Sequence, residues 1–338
     1  MSTPTNLDRA RPHMAALADA LARDGAIRTP AWSQAFRRVP RHLFVPRWYV
    51  QERNERGISV WRESHDAATD DGLAAAYRDE TLVTALDPDT AERVDATAWT
   101  GVPTSSSTLP RLMAGMLEDL GVGDGHRVLE IGTGTGYNAA LLCHRLGDRL
   151  VTSVDIDPAV VDTARDRLAV AGFAPRLVPG DGVRGNLTGD RFDRIIATCS
   201  VPAVPAAWIG QSRPGTLLVT DIALGVEGGL VRLEVDEQGR ALGHFTRPAA
   251  ASCPPAPTPV RTRRRAGRGP PRRRASGGRG SPPRTCARTT PSGWSSRSTC
   301  RGRRSSTTWT TPGSWRSRCR ARTVRGRVHR SRATTPAP

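Results

Sequence analysis

Arg127-Val128-Leu129-Glu130-Ile131-Gly132-Thr133-Gly134-Thr135-Gly136 joins a short apolar run to a glycine turn, and an amphipathic stretch begins at Tyr137. A chain that leaves a strand and enters a helix within so few residues needs backbone angles that glycine adopts without strain. Glycine also lets a ligand approach the backbone closely. The segment therefore predicts a strand, a ligand-binding loop and a helix, the opening unit of a doubly wound sheet. It leaves the ligand open. Gly134, Gly136 and Ala139, with the acidic Asp155 about 20 positions on, also satisfy the dinucleotide pattern. S-adenosylmethionine, a nicotinamide or flavin nucleotide, and a plain structural turn all fit the loop taken alone.

The surrounding periodicity supports an α/β fold. Met14, Leu17, Ala18 and Leu21 are spaced as one face of a helix ending at Arg23, and Thr29-Pro30 restarts a second helix through Trp32 and Phe36 to Val39. The polar stretch 51–103, with several breakers and one short strand at Thr81 to Thr84, reads as irregular. Helical spacing resumes from Leu109 to Leu120. Alternation then becomes regular: strand Arg127 to Ile131, helix Tyr137 to Leu146, strand Leu150 to Val154, helix Pro158 to Ala171, and strand Arg176 to Val178. Strand Asp193 to Ala197, helix Val204 to Ile209 and strand Leu217 to Asp221 continue it. Strands separated by helices predict a mostly parallel, doubly wound sheet. Gly229 to Val235 and Ala241 to Phe245 predict an antiparallel hairpin that closes it.

The 338 residues carry a formal charge of +18, which would suggest a nucleic-acid binder. The charge is not evenly spread. Residues 251–338 hold 23 Arg and no Asp or Glu, which leaves residues 1–250 with 27 basic against 32 acidic residues, net −5. That tail has no Leu, Ile, Met, Phe or Tyr, so little offsets its chain entropy and disorder is expected. Arg263-Arg264-Arg265, Arg272-Arg273-Arg274 and three tryptophans would suit a nucleic-acid-binding arm. The alternative is an out-of-frame translation. The chain contains no Lys, as a GC-rich gene would encode, and an abrupt switch to Arg, Pro, Ser and Thr is what reading such a gene in the wrong frame produces. Three parts are thus expected: a helical cap with an irregular region over 1–103, an α/β domain over 104–250, and a disordered basic tail over 251–338.

Outside the tail, Cys143 and Cys199 have neither metal-ligand nor disulfide spacing, and no metal site is expected. No apolar run approaches the length of a membrane span, so a cytoplasmic protein without membrane contact is expected. Asp155 falls at the end of the second strand, within reach of a ribose at the crevice, or it caps the next helix. Asp157, directly before Pro158, suits the cap better. Gly180-Asp181-Gly182 follows the third strand and is either an adenine contact or an ordinary turn. Glu130 either reaches the ligand or supports the loop. Ser105 to Thr108 precede Pro110 as a helix cap would. His42 and His144 have no partner at a useful spacing and are expected to be structural or superficial.

An ordered series of motifs resembles the protein-L-isoaspartate O-methyltransferase family from about Met14 to about Phe245. It runs through Arg37-Arg38-Val39-Pro40-Arg41-His42-Leu43-Phe44-Val45-Pro46, Tyr77-Arg78-Asp79, Glu130 to Tyr137, Gly180-Asp181-Gly182 and Phe192 to Thr198. The resemblance implies a Rossmann-like class I methyltransferase whose cofactor is S-adenosylmethionine. Gly132, Gly134 and Gly136 would line the methionine end with Glu130 nearby. Asp155 and Ile156 would lie at the ribose, and Asp181 and Gly182 at the adenine. The family's Thr-Ile-Ser-x-Pro substrate motif falls on Ser106-Ser107-Thr108-Leu109-Pro110, which makes Ser107 and Thr108 the candidate catalytic residues.

Thr108 stands where the family has Ser, and the Gly-Gln that usually precedes the motif is absent. With Thr104-Ser105-Ser106-Ser107-Thr108 before Leu109-Pro110, the chain more closely resembles the subset that serves ATP-grasp peptide-maturation systems. That implies methylation of Asp side chains in a ribosomal peptide, giving an ester that can cyclise to an aspartimide. Isoaspartyl protein repair is the alternative. A nucleic-acid-binding protein anchored by the Arg tail, and a truncated chain that binds cofactor without turnover, are the others. No oligomeric state follows from the sequence.

Overall fold

The apolar stripe of the first helix extends one turn further toward the amino terminus than the spacing from Met14 suggests, because Ala10 continues it and is fully buried. In the computed structural model, which describes residues 6–184, 189–224 and 227–248, that helix is α1 (Asn6–Arg23). It is followed by α2 (Pro30–Arg38), opened by Pro30 in the first turn, and the short α3 (Arg41–Phe44). The expected tail, residues 251–338, lies outside the described residues.

The stretch read as irregular is instead an antiparallel sheet. β1 (Arg47–Arg53), β2 (Ser59–Asp66), α4 (Asp70–Ala76), β3 (Leu82–Leu86), β4 (Ala98–Trp99) and β5 (Pro103–Ser107) form a five-stranded sheet of order β4-β2-β1-β3-β5. Its strands are hard to read because the apolar alternation is nearly absent. Trp48 and Val60 are buried on β1 and β2, whereas Gln51, Glu52, Arg53 and Ser59 are exposed. Cross-strand ion pairs, Arg62 with Glu52 and Arg47 with Glu63, stand where apolar pairs would have signalled a sheet.

From residue 110 onward the elements follow the sequence pattern. α5 (Pro110–Leu120), β6 (Val128–Ile131), α6 (Tyr137–Leu146), β7 (Val151–Asp155), α7 (Pro158–Val170), β8 (Arg176–Pro179), β9 (Phe192–Val201) and α8 (Ala206–Gly210) precede the long β10 (Ser212–Leu224). The hairpin of β11 (Glu227–Val235) and β12 (Ala241–Pro248) closes a seven-stranded sheet of order β12-β11-β10-β9-β6-β7-β8. β8, β7, β6, β9 and β10 pair in parallel, and the hairpin is antiparallel. This is the doubly wound, mostly parallel α/β fold expected.

One apolar cluster joins α1, α2 and α3 through Leu21, Trp32, Phe36 and Phe44 to Leu117 of α5 and Tyr137 of α6. A second joins Leu129, Ile131, Val154, Ile195, Trp208 and Leu218. The amino-terminal helices are thus part of the fold that supports the glycine loop. Phe36 meets the Tyr137 ring edge-on at 6.3 Å, at the first residue of α6.

Candidate functional site

The loop between β6 and α6 uses its glycines for geometry. Gly132, Gly134 and Gly136 have φ of 92°, 51° and 89°, a region that side chains disfavour. A Cβ on Gly132 would also stand 2.7 Å from the Thr198 Oγ1, which donates to the Gly132 carbonyl at 2.7 Å. A Cβ on Gly134 would meet nothing nearer than the Ser106 carbonyl at 3.9 Å, so that glycine faces open space.

Beneath the loop, Glu130 is fully buried. It accepts from Asn138 Nδ2 at 2.7 Å and from Ser153 Oγ at 2.5 Å, and Thr133 Oγ1 lies 2.6 Å from the same Ser153 oxygen. Burial raises the Glu130 carboxyl to about 7 despite those two bonds. Glu130 does not line the cavity described below; it reaches it through Asn138, whose buried Oδ1 has no partner among the described residues.

Asp155 ends β7. Its Oδ2 accepts from Gly134 N–H at 2.9 Å and its Oδ1 from Asp157 N–H at 3.2 Å. Burial raises this carboxyl, while the backbone bonds pull it the other way. Asp157 caps α7, accepting from Ala159 N–H at 2.9 Å, as expected for that residue.

Across from the loop runs β5. Ser105 is joined to Thr84 of β3 at 3.1 Å, and Ser107 is buried against the guanidinium of Arg41 at 3.4 Å. Ser105 to Thr108 do not cap α5, contrary to the cap reading. Leu109 occupies that position without a side-chain bond. The free amides are taken from a distance, with Arg111 N–H donating to Asp79 Oδ1 at 2.8 Å and Leu109 N–H to Thr81 Oγ1 at 3.2 Å. The hydroxyl run is therefore a strand wall.

Loop and wall enclose a cavity of about 470 Å³, a size common for ligand sites. It brings together Ser107, Thr108, Gly132, Gly134, Asp155, Ile156, Asp181 and Gly182; Glu130 and Gly136 stand behind it. Its charged lining consists of Asp155, Asp157 and Asp181, with no cationic side chain among the described residues. Sequence reading missed Asn138, Thr198, Cys199 and Trp208, which also line it. Cys199 followed no motif, and burial lifts its thiol to about 11, so it stays neutral at ordinary pH. His42, at 2.7 Å from Tyr77 Oη and lowered to about 4 by burial, is structural as expected. No three His, Cys, Asp or Glu side chains converge on a metal position among the described residues, and no described helix is long and apolar enough to cross a membrane.

Residues 83–244 match the family model for protein-L-isoaspartate(D-aspartate) O-methyltransferase. A protein-L-isoaspartate O-methyltransferase of Thermococcus onnurineus is 32% identical over 204 residues, which cover 60% of this chain and 74% of that protein. The chain belongs to the protein-L-isoaspartate O-methyltransferase family. A second relative, protein-L-isoaspartate O-methyltransferase 2 of Archaeoglobus fulgidus, is 29% identical over 61% of this chain and 76% of its own length. The fold matches a solved protein-L-isoaspartate O-methyltransferase with a TM-score of 0.54 at 24% identity, over 72% of this chain and 65% of that one. The protein is accordingly an S-adenosylmethionine-dependent methyltransferase with the class I fold. Its cavity fits that cofactor: the carboxylate lining suits a sulfonium cation, the buried Asn138 Oδ1 offers an acceptor to an ammonium group, and Gly134 leaves room against the backbone. The family model begins in β3, so α1 to α4, β1 and β2 precede the matched segment.

Proposed function

We propose that the chain methylates a side-chain carboxylate of an Asp-derived residue in a peptide or protein. The observation that carries this reading is the hydroxyl wall Thr104–Thr108 facing the glycine loop across a cavity with no cationic side chain among the described residues that line it. A carboxylate is ionised near neutral pH, so no base is required to activate it. What remains is to align its oxygen and to exclude water, and neutral hydroxyls do both without the tight binding a cation would add.

S-adenosylmethionine, when bound, supplies an electrophilic methyl group. Gly132, Gly134 and Gly136 shape the methionine end, with Glu130 holding Asn138 in place. Asp155, beside Ile156, accepts from the ribose hydroxyls, for which its carboxylate retains free lone pairs. Asp181 and Gly182 take the adenine. Thr108 and Ser107 hold the acceptor carboxylate. The product is a methyl ester, and attack by the following backbone amide nitrogen on the ester carbonyl, with loss of methanol, closes the succinimide.

The finer reading is an Asp residue of a ribosomal peptide, matured beside an ATP-grasp enzyme in the cytoplasm. Thr108 in place of the family's Ser, and the absence of the usual Gly-Gln before the motif, support it. Isoaspartyl repair is the second reading, favoured by the names of the relatives. A competition between an isoaspartyl peptide and an Asp-rich precursor-like peptide tests them. Preferential turnover of the Asp peptide supports maturation, preferential turnover of the isoaspartyl peptide supports repair, and methylation of neither overturns both. A nucleic-acid role would rest on residues 251–338, outside the described residues; loss of salt-dependent DNA binding on their removal would support it.

A further inference from the structure

The turn that carries Asp181 and Gly182 is tethered on both sides. Before it, Gly180 N–H donates to the Asp155 carbonyl at 2.7 Å. After it, the indole Nε1–H of Trp208 donates to the Gly182 carbonyl at 2.7 Å. Between these points Val183 N–H donates to Asp181 Oδ1 at 3.0 Å and Arg184 N–H to the Asp181 carbonyl at 2.9 Å. A Cβ on Gly182 would stand 2.4 Å from Ile131 Cγ2, so the turn rests directly on β6.

Trp208 is itself fixed. It is fully buried in the cluster of Leu129, Ile131 and Val154, and its carbonyl accepts from Ser212 Oγ at 2.8 Å. An indole N–H only donates, and burying it requires an acceptor. Here that acceptor is the backbone of the turn rather than a neighbour in α8. The indole also lines the cavity beside Asp181 and Gly182.

We propose that Trp208 is a positioning residue for the nucleobase end of the cofactor site, holding the Asp181–Gly182 turn so that the Asp181 carboxylate selects a base bearing an exocyclic amino group. The proposal rests on the assignment of Asp181 and Gly182 to the adenine. A carboxylate accepts from an amino group and repels a carbonyl oxygen, so a well-placed Asp181 discriminates S-adenosylhomocysteine from S-inosylhomocysteine, which differ at that position. A displaced one does not.

The test is calorimetric binding of both compounds to the full chain and to Trp208→Phe. The wild-type protein binds S-adenosylhomocysteine more tightly, and the variant loses roughly three- to tenfold of that affinity, the net worth of one hydrogen bond. Its affinity for S-inosylhomocysteine changes little, so the ratio of the two constants falls. A general loss of structure would weaken both compounds together. Should Trp208→Phe not fold, site-specific replacement of Trp208 by benzothienylalanine removes the N–H at nearly constant volume and is expected to lower the same ratio. An unchanged ratio in the folded variant overturns the role of Trp208 while leaving cofactor binding intact. Failure of the wild-type protein to bind either compound overturns the cofactor assignment itself.

Discussion

Replacing Glu130 by Gln isolates the electrostatic cost of the support beneath the glycine loop. Glu130 is fully buried with two neutral donors, Asn138 and Ser153, and no cation is bonded to it among the described residues. Its carboxyl is displaced from 4.5 to about 7. Between those values the folded protein holds a proton that the unfolded chain has released, so stability falls as pH rises through this window. Integrated from pH 5 to pH 8, the loss is about 2 to 3 kcal/mol. Gln cannot ionise, and its oxygen and amide preserve contacts with Asn138 and Ser153. Urea unfolding of both proteins at pH 5 and pH 8 is the assay. Glu130→Gln gains about 2 to 3 kcal/mol on the wild type between the two pH values, equivalent to very roughly 5–10 °C in Tm for a domain of this size. A difference between the proteins that stays constant with pH would refute a buried, strongly desolvated carboxyl at this position.

Asp155→Ala should weaken S-adenosylhomocysteine binding roughly ten- to a hundredfold by calorimetry, because charged hydrogen bonds to the ligand and the tether on Gly134 N–H are lost together. Gly132→Ala combines a φ of 92° with a 2.7 Å contact to Thr198 Oγ1, and is expected to cost about 1–3 kcal/mol in urea unfolding and to impair cofactor binding. Arg41→Met strips the guanidinium from the carbonyls of Ala76, Arg78 and Glu80, each now 2.9–3.0 Å away. It should destabilise the protein by about 3 kcal/mol or more, and Arg41→Lys should recover only part of that, since one ammonium cannot match the planar fork.

The α/β half of the chain is legible because its signals are local. Gly132 to Gly136, Asp157-Pro158 and the apolar runs at Val128, Val151 and Ile195 each specify a turn, a cap or a buried strand from neighbouring residues. Most of the sheet of residues 47–107 is not legible: the strand expected at Thr81 to Thr84 is found as β3, but β1 and β2, although a local hairpin, carry Trp48 and Val60 as isolated apolar residues among charged ones. Distance explains the site residues that went unseen. Arg41 stands in a recognisable motif, yet its acceptors lie 35 to 67 positions away. Trp208 reaches Gly182 across 26 positions. The cap on α5 comes from Asp79, 32 positions before Arg111, whereas the Ser and Thr run adjacent to the helix forms a strand. Residue type suggested the chemistry of Asp155 and Asp181, and the family resemblance that of Thr108; only the fold brings them around one cavity.

The most direct test of the central claim is mass spectrometry of an isoaspartyl peptide and an Asp-rich peptide after incubation with the full chain and S-adenosylmethionine, before and after mild alkali. Carboxyl methylation predicts a gain of one CH₂ on a peptide, reversed by alkali as methanol or converted to a succinimide one water lighter than the starting peptide. No gain on either peptide, or a gain that resists alkali, would contradict methyl transfer to a carboxylate.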